Sequence, residues 1–337
     1  MIRKERVRLL AVLTTFGTAA TVFGADFFEA EPNDSKAAAN VFLGLMPGDR
    51  IIGNSTASTG AGLDYFLIST APDVLGIYRY RMVLTSDIVG HTGTIRGLNQ
   101  IAAPAGPWPG PVGTPGTTDS TAQTTSTTTT PPRFNQWYGF GKGEQLYYRV
   151  TGTASTTANY TATLEKTAVT PTDLGTFQAG TIIISTIGQT TLDTDLWVYD
   201  GAFNAILGYG NDDESTNGGG TGATTQSILG RTYGAGRYYL AMSRFNLANN
   251  QGSPCDDDFR TGTMLDFADG VLSSSSTTTT VSLGFRVTDS LGTTTVPGFA
   301  PGPYDINWYT FEVVPEPSTL AAVGVGIAAL LARRRKR

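Results

Sequence analysis

Short runs of β-branched and aromatic residues recur along most of this 337-residue chain, and Gly, Asn, Asp or Pro punctuates nearly all of them. The runs fall at 65–69, 78–84, 146–150, 160–164, 181–187, 196–199, 238–242, 281–287 and 308–314. Helical periodicity is scarce, and the one helix-like piece is a single turn at 35–40. Short strands separated by turn residues predict sandwiches or barrels rather than a parallel α/β sheet. The expected fold class is all-β.

The runs also repeat. LGLMPGDRIIG (43–53) parallels LGTFQAGTIIIS (174–185), and Asp64 to Ile68 parallels Asp195 to Tyr199. QLYYRVT (145–151) parallels RYYLAMS (237–243), and YTATLE (160–165) parallels YTFEVV (309–314). The order is the same in both halves. A period of about 100–150 residues is a domain length and indicates duplicated domains rather than a solenoid. The expected domains are 26–167 and 168–314, each large enough to bury a core. A Pro-, Gly- and Thr-rich insert at 102–132 has too little apolar surface to offset its ordering entropy and is expected to be a mobile surface loop. The Ser/Thr run at 273–280 is expected to be another flexible loop, open to O-linked sugars.

Both ends of the chain carry addresses. Arg3, Lys4, Arg6 and Arg8 precede an apolar stretch at 9–23 and the small residues Gly24 and Ala25. This is the layout of a secretory signal peptide spanning 1–25. At the other end Pro315, Glu316 and Pro317 lead into an apolar run, 318–332, that stops at the basic cluster 333–337. The apolar piece can enter a bilayer while the basic cluster stays on the cytoplasmic side. It is shorter than the roughly 20 residues of an ordinary spanning helix, which suits transient membrane insertion before processing. Segment 315–337 resembles the PEP-CTERM sorting signal of bacterial exported proteins. The resemblance implies export and cutting near the motif by an exosortase, a membrane-embedded enzyme of transpeptidase type.

The chain has 23 basic and 28 acidic residues. Setting aside four basic residues and Glu5 of the leader and five basic residues of the tail leaves 14 basic and 27 acidic residues (Glu316 still counted), a net of −13. That balance argues against nucleic acid or anionic lipid as a partner and is compatible with divalent cations. The single cysteine, Cys255, allows no intramolecular disulfide, so the exported portion must rely on core burial, metal binding or both. The single histidine, His91, sits among turn residues. No G-x-S-x-G, H-E-x-x-H, Walker or C-x-x-C pattern is present. Hydrolysis by paired carboxylates needs none of these.

EAEPNDS (29–35) resembles the opening motif of the bacterial pre-peptidase C-terminal (PPC) domain, and LDYF (63–66) resembles its next landmark. Residues 146–150 and 160–164 resemble its closing strands. The resemblance implies a jelly-roll-like β-sandwich, calcium binding through the opening motif in some members, and polymer binding in others. The second half resembles it less closely. It lacks the Glu-rich opening and keeps the Asp-strand and closing landmarks. Calcium takes about 6–8 oxygen ligands. Glu29, Glu31, Asn33 and Asp34 offer four oxygen-bearing side chains in one segment, and Asp64 is placed to close the site. The alternative is an acidic segment in which Asn33 or Asp34 caps the following turn.

A second acidic group, Asp193, Asp195, Asp200, Asp212 and Asp213, flanks the 196–199 run and its return. Alternating acids at strand mouths can form an oxygen cage, although turn chemistry explains such residues nearly as well. Asp256, Asp257 and Asp258 read as a solvated loop. Trp137, Trp197 and Trp308 read as core, whereas Trp108, inside the insert, is a candidate for polymer stacking. The expectation is two tandem jelly-roll-like sandwiches between a signal peptide and a transmembrane sorting tail. The expected role is structural or adhesive at the cell surface or in an extracellular matrix, without catalysis, with calcium as the cofactor and polysaccharide or another envelope polymer as a candidate partner. The alternative is a secreted polymer-binding or hydrolytic protein using acids such as Asp193 and Asp195.

Overall fold

The computed structural model describes residues 24–55, 62–125, 133–153 and 156–315. The leader to residue 23, the motif residues Glu316 and Pro317, the apolar run 318–332 and the cluster 333–337 lie outside the described residues. Among the described residues no helix is long and apolar enough to cross a membrane.

The architecture is all-β, with a single 3₁₀ turn at Lys36–Ala38 among the described residues. The first half supplies β1 (Asp26–Phe28), β2 (Asn40–Leu45), β3 (Arg50–Gly53), β4 (Leu63–Thr70), β5 (Ile77–Ser86), β6 (Thr92–Ile101), β7 (Thr114–Thr124), β8 (Phe134–Gly139), β9 (Gln145–Thr151) and β10 (Tyr160–Val169). The second half supplies β11 (Thr172–Gln178), β12 (Gly180–Ser185), β13 (Thr194–Asp200), β14 (Ala205–Asn211), β15 (Ile228–Tyr233) and β16 (Gly236–Arg244). It continues with β17 (Leu247–Ala248), β18 (Thr263–Met264), β19 (Leu272–Ser273), β20 (Phe285–Asp289), β21 (Gly292–Val296) and β22 (Ile306–Val314).

Sheets pair into sandwich-like layers. In the first half β1-β3-β10-β5-β8 faces β2-β4-β9-β6, with β7 and β18 also bonded to β6. Their shared core joins Phe66, Ile95 and Tyr148 of one sheet to Tyr80, Trp137 and Tyr160 of the other. Strand β9 buries every second residue, the period that a sheet with one apolar face imposes. In the second half β11-β22-β16-β13-β14 faces β15-β12-β20-β21, and Leu196, Leu240 and Phe311 meet Ile182, Leu229 and Phe285.

Strand β13 departs from alternation: every residue from Thr194 to Tyr199 is buried. Leu196 and Val198 enter the second core. Trp197 and Tyr199, on the opposite face, enter a third cluster with Ile77, Tyr138 and Phe140 of the first half. That cluster joins the halves. Segment 245–275 is wedged beside it: β18 extends the first-half sheet, and Ala248, Leu265 and Leu272 belong to the first core.

The repeat is partly mirrored in topology. In each half the chain crosses from one sheet to the facing one, β2 to β3 and β11 to β12. The pairs β4/β9 and β13/β16 are both antiparallel, with Asp64 opposite Val150 and Asp195 opposite Ser243. The closing strands do not correspond: β10 pairs β3 and β5 in the sheet facing β9, whereas β22 pairs β16 directly.

The insert is more ordered than its composition suggests. Residues 114–124 form β7 on β6, while 126–132 lie outside the described residues. The edge of β6 supplies main-chain partners, and polar anchors replace apolar burial. Asp119 accepts from the Tyr65 hydroxyl (2.7 Å) and pairs with Arg96 (2.9 Å). Gln123, 1% exposed, donates to the Gln136 and Ser273 carbonyls. Ser273, at the start of the expected flexible run, is buried in β19.

Candidate metal centres

The first acidic centre forms where the segment after β1 folds across the start of β4. The Asn33 carbonyl accepts the Tyr65 N–H (2.9 Å), which lays the 29–34 segment beside Asp64. Asn40, which opens β2, clamps the segment: its Oδ1 accepts from Ala30 N–H (2.8 Å) and Asn33 Nδ2 (3.3 Å), and its Nδ2 donates to the Ala30 carbonyl (2.9 Å). The Asn33 N–H donates to Glu31 Oε2 (3.0 Å). Glu29 Oε1 accepts the Asn54 N–H, and its Oε2 accepts the Tyr160 hydroxyl (3.2 Å). A Cβ on Gly53 would overlap both Glu29 Oε2 and that hydroxyl, so a larger residue there would displace one of them.

Carboxylate oxygens of Glu29, Glu31 and Asp64 lie within 4.8 Å of one another. Asp64 Oδ2 and Asn33 Oδ1 are buried without a hydrogen-bond partner, in residues 1% and 0% exposed. Burial, with the charges of Glu29 and Glu31 adding to it, pushes the Asp64 carboxyl up to about 8. Burial also raises Glu29. Uncompensated acids with orphaned oxygens are the donor set of a hard cation. Of the five residues the sequence suggests, Glu29, Glu31 and Asp64 converge as carboxylates, and Asn33 adds a buried amide oxygen. Asp34 is half-buried and is not one of the converging carboxylates. The turn at Lys36–Ala38 follows Ser35, which makes no side-chain cap. The lysine itself pairs with Asp119 and Asp266.

The second centre follows from strand pairing. β13 and β14 run antiparallel with Leu196 opposite Asn211, so residues just before β13 and just after β14 meet at one end. There Asp193, Asp212 and Asp213 bring carboxylate oxygens within 4.8 Å of one another. Asp195 is buried behind them, its Oδ2 accepting the Leu247 N–H (2.6 Å). Asp200 stands at the far end of β13 and belongs to a turn, accepting from the N–H groups of Ala202 (2.8 Å) and Asn204 (2.9 Å).

The 256–258 loop is not solvated as its composition implies. Asp256 and Asp257 are 2% and 1% exposed. Asp256 forms a buried two-point pair with Arg231 (2.7 and 2.9 Å). Asp257 accepts the N–H groups of Asp212 (3.0 Å), Asp213 (3.1 Å) and Phe259 (2.9 Å). Burial and neighbouring Asp213 still hold Asp257 up at about 8. Asn40, Tyr160 and Asp257 are thus site-shaping residues that the sequence reading lacks. The acid triplet was the one visible signal, and its partners lie far away in the chain.

His91 is buried, its ring bonded by the Ser55 hydroxyl (2.9 Å) and the Ala158 carbonyl (3.2 Å). Burial lowers its pKa, so it is a neutral core residue. Trp137, Trp197 and Trp308 are buried. The Trp108 ring is half-buried, with Arg231 over its face (4.5 Å) and Gly208 against its edge.

No curated protein matches the chain. Residues 313–336 match the family model of the PEP-CTERM protein-sorting motif, the mark of an exported protein that an exosortase recognises and that its C-terminal segment holds transiently in the membrane.

Proposed function

We propose that this chain is a non-catalytic structural or adhesive protein of the cell surface or extracellular matrix, released from its membrane tail by an exosortase. The observation that carries the reading is the sorting motif at 313–336. The acidic balance of the exported portion and its all-β construction support it. In this reading the halves are tandem jelly-roll-like sandwiches, the first of PPC type, and the outer surface meets polysaccharide or another envelope polymer.

Two features speak against hydrolysis at Asp195. Asp195 is tied to a backbone N–H, and the cavity it lines with Asp212 and Asp257 measures about 20 Å³, far too small for a sugar. Calcium is the proposed cofactor of the first half, held by Glu29, Glu31, Asp64 and the Asn33 amide oxygen. The buried, unpartnered oxygens of Asp64 and Asn33 support that assignment.

Expression of the full chain with and without an exosortase tests the proposal. The mature protein should lose its C-terminal segment only when the enzyme is present, and Pro315→Ala with Pro317→Ala should block the loss. Retention of the segment in both hosts would refute processing. Turnover on a polysaccharide or protein panel, abolished by Asp195→Asn, would refute the non-catalytic role.

A further inference from the structure

The second acidic centre has its own residues and stands independently of the first. Five aspartates crowd one end of β13: Asp193, Asp195, Asp212, Asp213 and Asp257. Arg244 favours the Asp193 anion and donates to the Thr277 hydroxyl (2.8 Å), while Arg260 beside Asp257 donates to the main-chain carbonyls of Asp257 (2.6 Å) and Ala103 (3.2 Å). Arg231 is engaged by Asp256, and Glu214 is turned away into the 221–224 loop. Asp212 is 5% exposed, and its Oδ1 is buried without a hydrogen-bond partner. Asp193 Oδ1 is likewise buried and unpartnered, and both residues belong to the trio whose oxygens converge. Such oxygens are costly unless a cation or proton meets them.

We propose that Asp193, Asp212 and Asp213 hold one divalent cation, calcium, and that Asp195 and Asp257 are the buried acids that shape and back this seat. Two oxygens each about 2.4 Å from one ion lie at most about 4.8 Å apart. The trio, converging within 4.8 Å, meets that limit. The donors are oxygen only and come from two strand ends, which suits the irregular coordination of calcium better than the strict octahedron of magnesium. The adjoining cavity of about 20 Å³ has room for one water to complete the shell.

The cation also has a structural consequence. Asp257 ties the 212–213 backbone to the 253–258 loop, and Asp195 ties β13 to Leu247. Both loop and Leu247 belong to the segment wedged between the halves, whose β18 extends the first-half sheet. Calcium at this seat therefore locks the wedge to the second half. Without calcium this junction is loose, and calcium tightens it.

Hydrogen exchange on the full-length chain in mild detergent, stripped with EGTA and then given calcium chloride, tests this. Exchange at 211–214 and 245–258 should slow on adding calcium, and isothermal titration should show binding. The double variant Asp193→Asn with Asp213→Asn should lose this local protection and weaken that binding event at least about tenfold, because removing carboxylates lowers affinity. Both residues are partly exposed, so the variant is expected to keep its near-ultraviolet circular dichroism. In Glu31→Gln, protection at 211–214 should persist. Calcium that leaves exchange at 211–214 unaltered in the wild type would overturn the proposal. So would a folded double variant protected like the wild type, or protection by magnesium but not by calcium.

Discussion

Phe140 of the first half stacks on Phe203 of the second, with ring centroids 5.0 Å apart and planes 16° from parallel. Phe140 is fully buried and also meets Tyr199 and Trp308 across the same junction. The halves are therefore joined by a true aromatic core. Phe140→Ala removes the centre of that cluster, at a cost of about 3–5 kcal/mol. Calorimetry should then show a lower melting temperature and a transition split in two. A single transition at the wild-type temperature would mean the halves do not depend on this contact.

The Arg231–Asp256 pair sits deep, with side chains 1% and 3% exposed. Arg231→Met leaves Asp256 as an uncompensated buried charge, and urea unfolding should show a loss of about 3–5 kcal/mol. The double variant Arg231→Met with Asp256→Leu should recover most of it, because an apolar pair can replace a buried ion pair. If the double variant is as unstable as the single, the Arg231 contacts to Trp108 and the Gly208 carbonyl carry the stability instead.

The strands were legible because their pattern is local. Residues 145–151 alternate in sequence and alternate in burial. The continuous run 196–199 reports a strand covered on both faces, one by the second core and one by the junction. Strand β7 was not legible. Its Thr-rich sequence has no apolar face, and the free edge of β6 and the polar anchors at Asp119 and Gln123 order it. The same contrast governs the acids. Glu29 and Glu31 lie close together in the chain, and Asp64 opens a recognisable strand, so their convergence is readable. Asp256 and Asp257 read as solvent-facing because acid triplets usually are. Their partners, Arg231 and the N–H groups of Asp212 and Asp213, lie 25 to 45 residues away. Asp200 follows the same strand as Asp193 and Asp195, but strand length carries it to the opposite end.

Glu214 anchors the glycine-rich loop after β14. It accepts from the N–H and hydroxyl of Thr221, the N–H of Ala223, and the N–H and hydroxyl of Thr224. Burial works against its charge, yet these donors hold the carboxyl down to about 2. Its stabilising effect is therefore present above the ordinary glutamate range and lost as pH falls through about 2. Glu214→Gln replaces charge-assisted bonds with neutral ones and should cost about 1.5–3 kcal/mol. Limited proteolysis should cut within 215–224 faster in the variant. Equal cutting rates would show that the loop is held by other contacts.

The two acidic centres make stability fall with rising pH in the absence of calcium, and calcium offsets the fall. Burial and mutual repulsion place Asp193 at about 6, Asp64 and Asp257 at about 8 and Asp212 at about 11. Each value is raised above the ordinary aspartate value of about 3.9. The folded metal-free chain thus binds more protons than the unfolded chain above about pH 4. Its stability is fully present below that pH and is lost as pH rises through 6 to 8 and beyond. Calcium replaces those protons, so its effect grows in the same window. In EGTA the melting temperature should fall between pH 5 and pH 8. Millimolar calcium should restore it at pH 8 and change little at pH 5. Glu31→Gln and Asp193→Asn should each remove part of the pH 8 rescue, and together most of it. A metal-free melting temperature that rises from pH 5 to pH 8 would contradict the raised carboxyls. A calcium effect equal at both pH values would contradict their role as ligands.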